Sequence, residues 1–82
     1  MKIFRISQEQ NRDYDTYDSA VVYARSKARA RTIHPGDYYS GDPWKNKYSP
    51  WCSSPDEVEV EYLGEAKKGA KEGIILASFN AG

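Results

Sequence analysis

The chain has 82 residues and a mass of 9.3 kDa, enough for one domain and too little for two, so we expect a single domain over residues 1–82. Twelve Lys and Arg balance twelve Asp and Glu, so no net charge favours a nucleic acid or a membrane as the partner. One Cys excludes an internal disulfide, one His leaves no ligand set for zinc, and no apolar stretch has the length of a signal peptide or a membrane span. These features predict a soluble protein of a reducing cytoplasm, without a metal or another cofactor.

The N-terminal half predicts two strands and a helix. Residues 3–6 form the first strand, with Phe4 and Ile6 on one face, and residues 20–24 form the second. Ser26 is a good N-cap for a helix of two to three turns over residues 27–33, which Pro35 ends. So short a helix needs tertiary packing, and we expect it to pack on the sheet through Ala28, Ala30 and Ile33.

The C-terminal half predicts two more strands. In residues 57–62, Glu57, Glu59 and Glu61 alternate with Val58, Val60 and Tyr62, which indicates a strand with a wet glutamate face and a buried face. Residues 74–79 are the most apolar run of the chain. A charged, glycine-rich connection separates the two strands and favours a hairpin.

Residues 36–56 between the two halves match no regular element, so we expect a long loop that is rich in aromatic residues. The predicted fold is therefore an α+β domain with the element order ββαββ. It has a four-stranded, mostly antiparallel sheet and one short helix on one face.

Seven of the eleven aromatic residues fall outside the predicted strands and helix. Tyr and Trp give large contact areas at low entropic cost, which makes them typical of binding surfaces. The alternative is that these rings form a small core that covers a thin sheet. Both interpretations can hold together, with inner rings packing and outer rings binding. The seven residues are Tyr14, Tyr17, Tyr38, Tyr39, Trp44, Tyr48 and Trp51.

Basic residues cluster on and after the predicted helix, and Lys27 is among them. A solvated helix face would account for them. The functional interpretation is recognition of an anion, and cations beside aromatic rings suit a nucleotide, whose base stacks on the rings while its phosphates meet Arg or Lys. The candidate ligand-binding residues are Arg25, Arg29, Arg31, His34, Tyr38, Tyr39, Trp44, Lys45, Tyr48 and Trp51.

Signatures of catalysis and of metal binding are missing from the sequence, so we expect a protein without enzymatic activity and with no catalytic residue. The acidic string DYDTYDS at residues 13–19 lacks the glycine and the closing glutamate of a calcium loop. His34 is expected to lie at the helix end, where the partial negative charge favours the imidazolium. Cys52 is expected to be a small packed thiol.

Both ends of the chain resemble a group of small bacteriophage proteins without an established activity. The resemblance lies in YDTYDSAVVYA, followed by a short Ala/Arg helix that closes in IHP, and in VEVEYLGEAKKGAKEGIILASFNAG at the C-terminus. It covers more than half of the chain. It implies a phage origin and a setting in the host cytoplasm, and it assigns no site residue.

Two classes of function fit a small phage protein of this composition. The first, which we favour, is a module that counters host antiviral defence by sequestering a nucleotide-type signalling molecule. The alternative is a protein–protein inhibitor of a host defence enzyme, such as a CRISPR effector, that docks through the aromatic loop or through the glutamate face as a phosphate mimic. A virion or replication accessory is a third class. No membrane or direct nucleic-acid partner is expected, and pairing of exposed sheet edges would allow a homo-oligomer.

Overall fold

The computed structural model describes residues 1–11, 15–36, 43–45 and 50–80. Their strands form one four-stranded antiparallel sheet, with one short α-helix and two 3₁₀ turns, so the fold is of the α+β class and consists mostly of sheet. The elements are β1 (Lys2–Ser7), β2 (Thr16–Ala24), α1 (Lys27–Arg31), 3₁₀ turns at Pro43–Lys45 and Pro55–Glu57, β3 (Glu59–Glu65) and β4 (Gly73–Asn80).

The two central strands, β1 and β2, supply one face of the core. Phe4 lies opposite Val22 and Ile6 lies opposite Ala20, and all four side chains are buried. Because side chains alternate between the faces of a strand, this register places the apolar residues of both strands on the same side. The second strand begins at Thr16, earlier than the predicted residues 20–24, since its first residues pair with β4.

The helix is shorter than predicted. Ser26 caps it, as expected, by accepting a hydrogen bond from the Arg29 N–H at 3.2 Å. It ends at Arg31 because Thr32 turns back on Arg29, whose carbonyl accepts from both the Thr32 N–H and the Thr32 hydroxyl. Ala30 is fully buried and Ile33 half-buried, but Ala28 is exposed. The expected packing of Ala28 is wrong because positions two residues apart point to opposite sides of a helix.

The predicted hairpin between the last two strands is also wrong. The sheet order is β3-β1-β2-β4, so β3 pairs with β1, β4 pairs with β2, and the two strands lie at opposite edges. Residues 66–72 must therefore cross three strand spacings, about 14 Å, which a seven-residue segment can span because it reaches up to about 23 Å. The Ala66 N–H donates to the Met1 carbonyl at 2.9 Å at the start of this crossing.

The glutamate face of β3 is smaller than predicted. Val58 is buried, while Glu59 and Glu61 are exposed on the strand as expected. Glu57, however, belongs to the preceding 3₁₀ turn, so two of the three predicted carboxylates lie on the strand. Tyr62, expected to be buried, is 49% exposed because β3 is an edge strand, and its ring meets Phe4 edge-on at a centroid distance of 5.8 Å.

Part of the predicted loop 36–56 builds the core. Trp51 and Cys52 are buried against the sheet. Hydrogen bonds fasten this stretch to β2 and to the residues after β1: the Tyr17 N–H donates to the Pro50 carbonyl at 2.8 Å, and the Asn11 side chain donates to the Trp51 carbonyl at 3.3 Å. Residues 37–42 and 46–49 of the predicted loop lie outside the described residues.

A buried glutamine organises the β1–β2 connection. Gln8 is 2% exposed, and its Nε2 donates to the carbonyls of Asn11, at 2.5 Å, and Tyr17, at 3.0 Å. Its Oε1 accepts from the Asn11 N–H at 2.7 Å. One side chain thereby satisfies three backbone groups, two of Asn11 and one of Tyr17. None of the helices in the described ranges has the length and apolar character needed to cross a membrane.

Candidate functional site

An open groove lies between the end of α1, the 3₁₀ turn at Pro43–Lys45 and the start of β4. Its volume is about 530 Å³, within the range of about 300–1,000 Å³ that is usual for small-molecule sites. Both apolar and polar residues line it. The lining residues are Arg29, Thr32, Ile33, His34, Pro43, Trp44, Glu72, Gly73 and Ile74.

Three of the ten predicted ligand-binding residues meet in this groove: Arg29, His34 and Trp44. Arg29 comes from α1, His34 from the turn after it, and Trp44 from the 3₁₀ turn. The His34 ring packs edge-on against Trp44 at a centroid distance of 4.7 Å, and it also approaches the buried Trp51 at 6.5 Å. His34 thus links the indole of the groove wall to the core.

His34 is held as a neutral ring in this arrangement. It is 3% exposed, and its Nδ1 accepts a hydrogen bond from the Gly36 N–H at 2.8 Å. An accepting Nδ1 carries no proton, which leaves the single ring proton on Nε2. At the helix end a partial negative charge favours the imidazolium, whereas the Gly36 N–H faces Nδ1 and disfavours a proton on that nitrogen.

The cation of the groove is already paired with an acid. Arg29 Nη2 lies 3.0 Å from Glu72 Oε1, and the two side chains are 62% and 26% exposed. Ion pairs at this exposure contribute about 1 kcal/mol or less, so water, salt or an incoming anion can replace Glu72 at little cost. The groove therefore offers one exchangeable cation and one carboxylate that can accept from a hydroxyl or an amino group.

Four of the other predicted residues fall within the described part of the chain, and they do not line the groove. Arg25 precedes the helix and is exposed. Arg31 is the last residue of the helix and is half-buried, and Lys45, which follows Trp44, is exposed. Trp51 is 2% exposed and belongs to the core, so its ring offers no surface to a ligand and fits the packing interpretation. Tyr38, Tyr39 and Tyr48 fall outside the described residues.

The sequence did not indicate the groove residues that come from the start of β4 and the residue before it. Glu72, Gly73 and Ile74 reach the groove because the 66–72 connection crosses the sheet, and a hairpin would have kept them at the far edge. No local pattern marks them as site residues. Ile33 was expected to pack on the sheet, and it does so from a position that also lines the groove.

The chemistry of the groove suits binding. Within the part of the chain that the structure describes, no group of His, Cys, Asp and Glu is arranged to hold a metal ion. Cys52 is 1% exposed, and burial raises the pKa of its thiol to about 11, which makes it a poor nucleophile. The groove can pack a flat ring between apolar side chains and hold an anion beside Arg29.

Comparison of the chain with protein-family models, with curated proteins and with solved structures found no match.

Proposed function

We propose that the groove binds a small anion of the nucleotide type, and that the protein acts by sequestering such a molecule without converting it. The observation that carries this proposal is that Arg29 and Trp44, fifteen residues apart in sequence, line one groove of nucleotide size. A guanidinium beside an aromatic ring is the pair that a phosphorylated, ring-containing ligand needs.

Different residues of the groove suit different parts of such a ligand. The base or another flat ring packs against Trp44 and the apolar side chain of Ile74. A phosphate replaces Glu72 as the partner of the Arg29 guanidinium. The free-energy cost of this exchange is small because the ion pair is exposed. Glu72 then accepts from a ribose hydroxyl, and its negative charge disfavours ligands that carry further phosphates at that position.

The biological role follows from the resemblance to small phage proteins. A phage protein that occupies a nucleotide signal of host antiviral defence would act in the host cytoplasm. It needs affinity and abundance, and it needs no catalytic group. Among the described residues that line the groove, the cation Arg29 and the apolar side chains of Ile33, Trp44 and Ile74 agree with reversible binding.

Inhibition of a host defence enzyme through protein–protein contact is the alternative. One form of it, mimicry of nucleic-acid phosphates by the glutamate face, has little to support it. Of the three glutamates predicted for that face, only Glu59 and Glu61 lie on β3, and Glu61 lies directly opposite Arg5 on β1, which offsets its charge. We therefore favour the groove.

The test is ligand-dependent thermal stabilisation with a panel of cyclic and ADP-ribose-derived nucleotides. A ligand at one hundred times its Kd adds about 2.7 kcal/mol to the unfolding free energy, which raises the Tm of a domain of this size by about 10–20 °C. We expect R29E and W44A to abolish this shift. K27E, a charge reversal on an exposed residue of the same helix outside the groove, and Y62A, the loss of an exposed ring on β3, are the matched controls.

Two outcomes contradict the proposal. If no nucleotide of the panel shifts the Tm of the wild-type protein at millimolar concentration, the sequestration role fails. If a nucleotide binds and R29E and W44A bind it as well as K27E does, the groove is the wrong site. A stoichiometric complex with a purified host defence enzyme, together with loss of that enzyme's activity, would instead support the inhibitor.

A further inference from the structure

The most apolar strand of the protein lies at an edge of the sheet. Within the described part of the chain, β4 has a neighbouring strand, β2, on one side only. Its large side chains are correspondingly exposed: Ile74 by 40%, Ile75 by 46%, Leu76 by 68% and Phe79 by 46%. An edge strand leaves a row of backbone N–H and C=O groups available for pairing, and native proteins usually protect such an edge.

The two edges of the sheet differ in how they are protected. β3 carries Glu59, Glu61 and Glu65, all exposed, which would repel one another if two such edges met. β4 carries no charged residue and no proline from 74 to 79. Its register with β2 shifts at two places, at Ile75 on β4 and at Asp18 on β2, and the bulge at Ile75 gives the edge some protection.

We propose that β4 pairs antiparallel with β4 of a second copy of the chain, so that two four-stranded sheets join into one of eight strands. A second copy of the chain is the partner that fits this edge best. Two neutral apolar strands can pair without charge repulsion, and a two-fold axis makes the resulting interface closed. The acidic β3 edge then forms both outer borders of the dimer, where its charges prevent further growth.

The exposed area predicts how strong this dimer is. The four side chains together expose on the order of 400 Å², a size at which apolar surface patches are often functional. A standard stable interface buries about 800 Å² per partner, so these side chains supply at most about half of that, and the backbone ladder adds to it. We therefore expect a weak dimer that dissociates on dilution.

Sedimentation velocity over a concentration series tests the proposal. Between about 1 µM and 1 mM, the mass is expected to rise from the 9.3 kDa monomer to twice that value and to stop there. Leu76→Lys places like charges on facing strands and should weaken the association about tenfold or more, with little effect on the fold because Leu76 is largely exposed. Leu63→Lys, on β3 at 49% exposure, is the matched control and should leave the association unchanged.

Hydrogen exchange supplies the second measurement. Raising the concentration should slow amide exchange in Gly73–Asn80 and leave Glu59–Glu65 unaffected. A wild-type protein that stays monomeric at about 1 mM overturns the proposal, as does a mass that continues to rise beyond the dimer. Equal weakening by Leu63→Lys and Leu76→Lys, or concentration-dependent protection of β3, would also overturn it.

Discussion

The two tryptophans are expected to respond very differently to replacement by alanine. Trp51 is 2% exposed and lies over the sheet, so W51A removes an indole from the core and leaves a cavity. Substitutions of this kind cost about 3–5 kcal/mol. An 82-residue domain has a total unfolding free energy of about 4–12 kcal/mol, so this one change removes a large fraction of it.

Trp44 is half-buried, and it packs against protein on only part of its surface because it lines the groove. We expect W44A to cost about 1–2 kcal/mol, which leaves the protein folded at room temperature while the nucleotide-dependent shift is lost. The difference between the two variants follows from burial alone, since the chemical change is the same.

Urea unfolding followed by far-UV circular dichroism measures both unfolding free energies, and each variant keeps one tryptophan as an independent fluorescence probe. In W44A the emission of Trp51 reports the core, and in W51A the emission of Trp44 reports the groove. Equal losses in the two variants would refute the reasoning, because Trp44 would then be a core residue and the groove would lack an accessible ring.

Three further predictions concern residues other than Arg29 and Trp44. Between pH 9 and 11 the unfolded chain releases the Cys52 proton that the folded protein retains, since the folded pKa is about 11 against an ordinary value of 9.0. The unfolding free energy should therefore fall by up to about 2.7 kcal/mol as the pH rises through this window, and less in C52A; equal slopes would contradict the assignment. G36A should destabilise the fold by about 1–3 kcal/mol, because an added Cβ would lie 3.0 Å from the His34 ring and 3.1 Å from Pro50, and unchanged urea midpoints would argue against this packing. Q8E should be more destabilising than Q8A at pH 7, because a carboxylate would replace the amide that donates to two carbonyls, and urea unfolding of both variants checks this order.

The proposed site and the proposed dimer surface meet at the start of β4, at Gly73 and Ile74. Ile74 lines the groove and begins the exposed apolar part of β4. Their tests remain separate: R29E and W44A act on ligand binding and L76K acts on association. A protein that binds nucleotide as a monomer, or one that dimerises and binds none, would retain one proposal and lose the other.

Much of the local structure follows from the sequence because its causes are local. The alternation of polar and apolar residues placed Phe4 and Ile6 on a buried face, and a serine hydroxyl three residues before Arg29 marked the helix start. The sequence also predicted that Arg29 and Trp44 belong to one binding site. It could not separate Trp44 from Trp51, because both are large rings in an irregular segment and burial depends on what that segment covers.

Strand partners were decided only by the tertiary structure. Period-two alternation determines which face of a strand is buried, but it is the same whichever strand lies beside it. The segment 66–72 is long enough for a hairpin or for a crossing, so contacts between residues distant in sequence select between them. The crossing of the sheet by residues 66–72 brings Glu72 next to Arg29 and places β4 at an edge. Both the groove and the exposed strand result from this crossing.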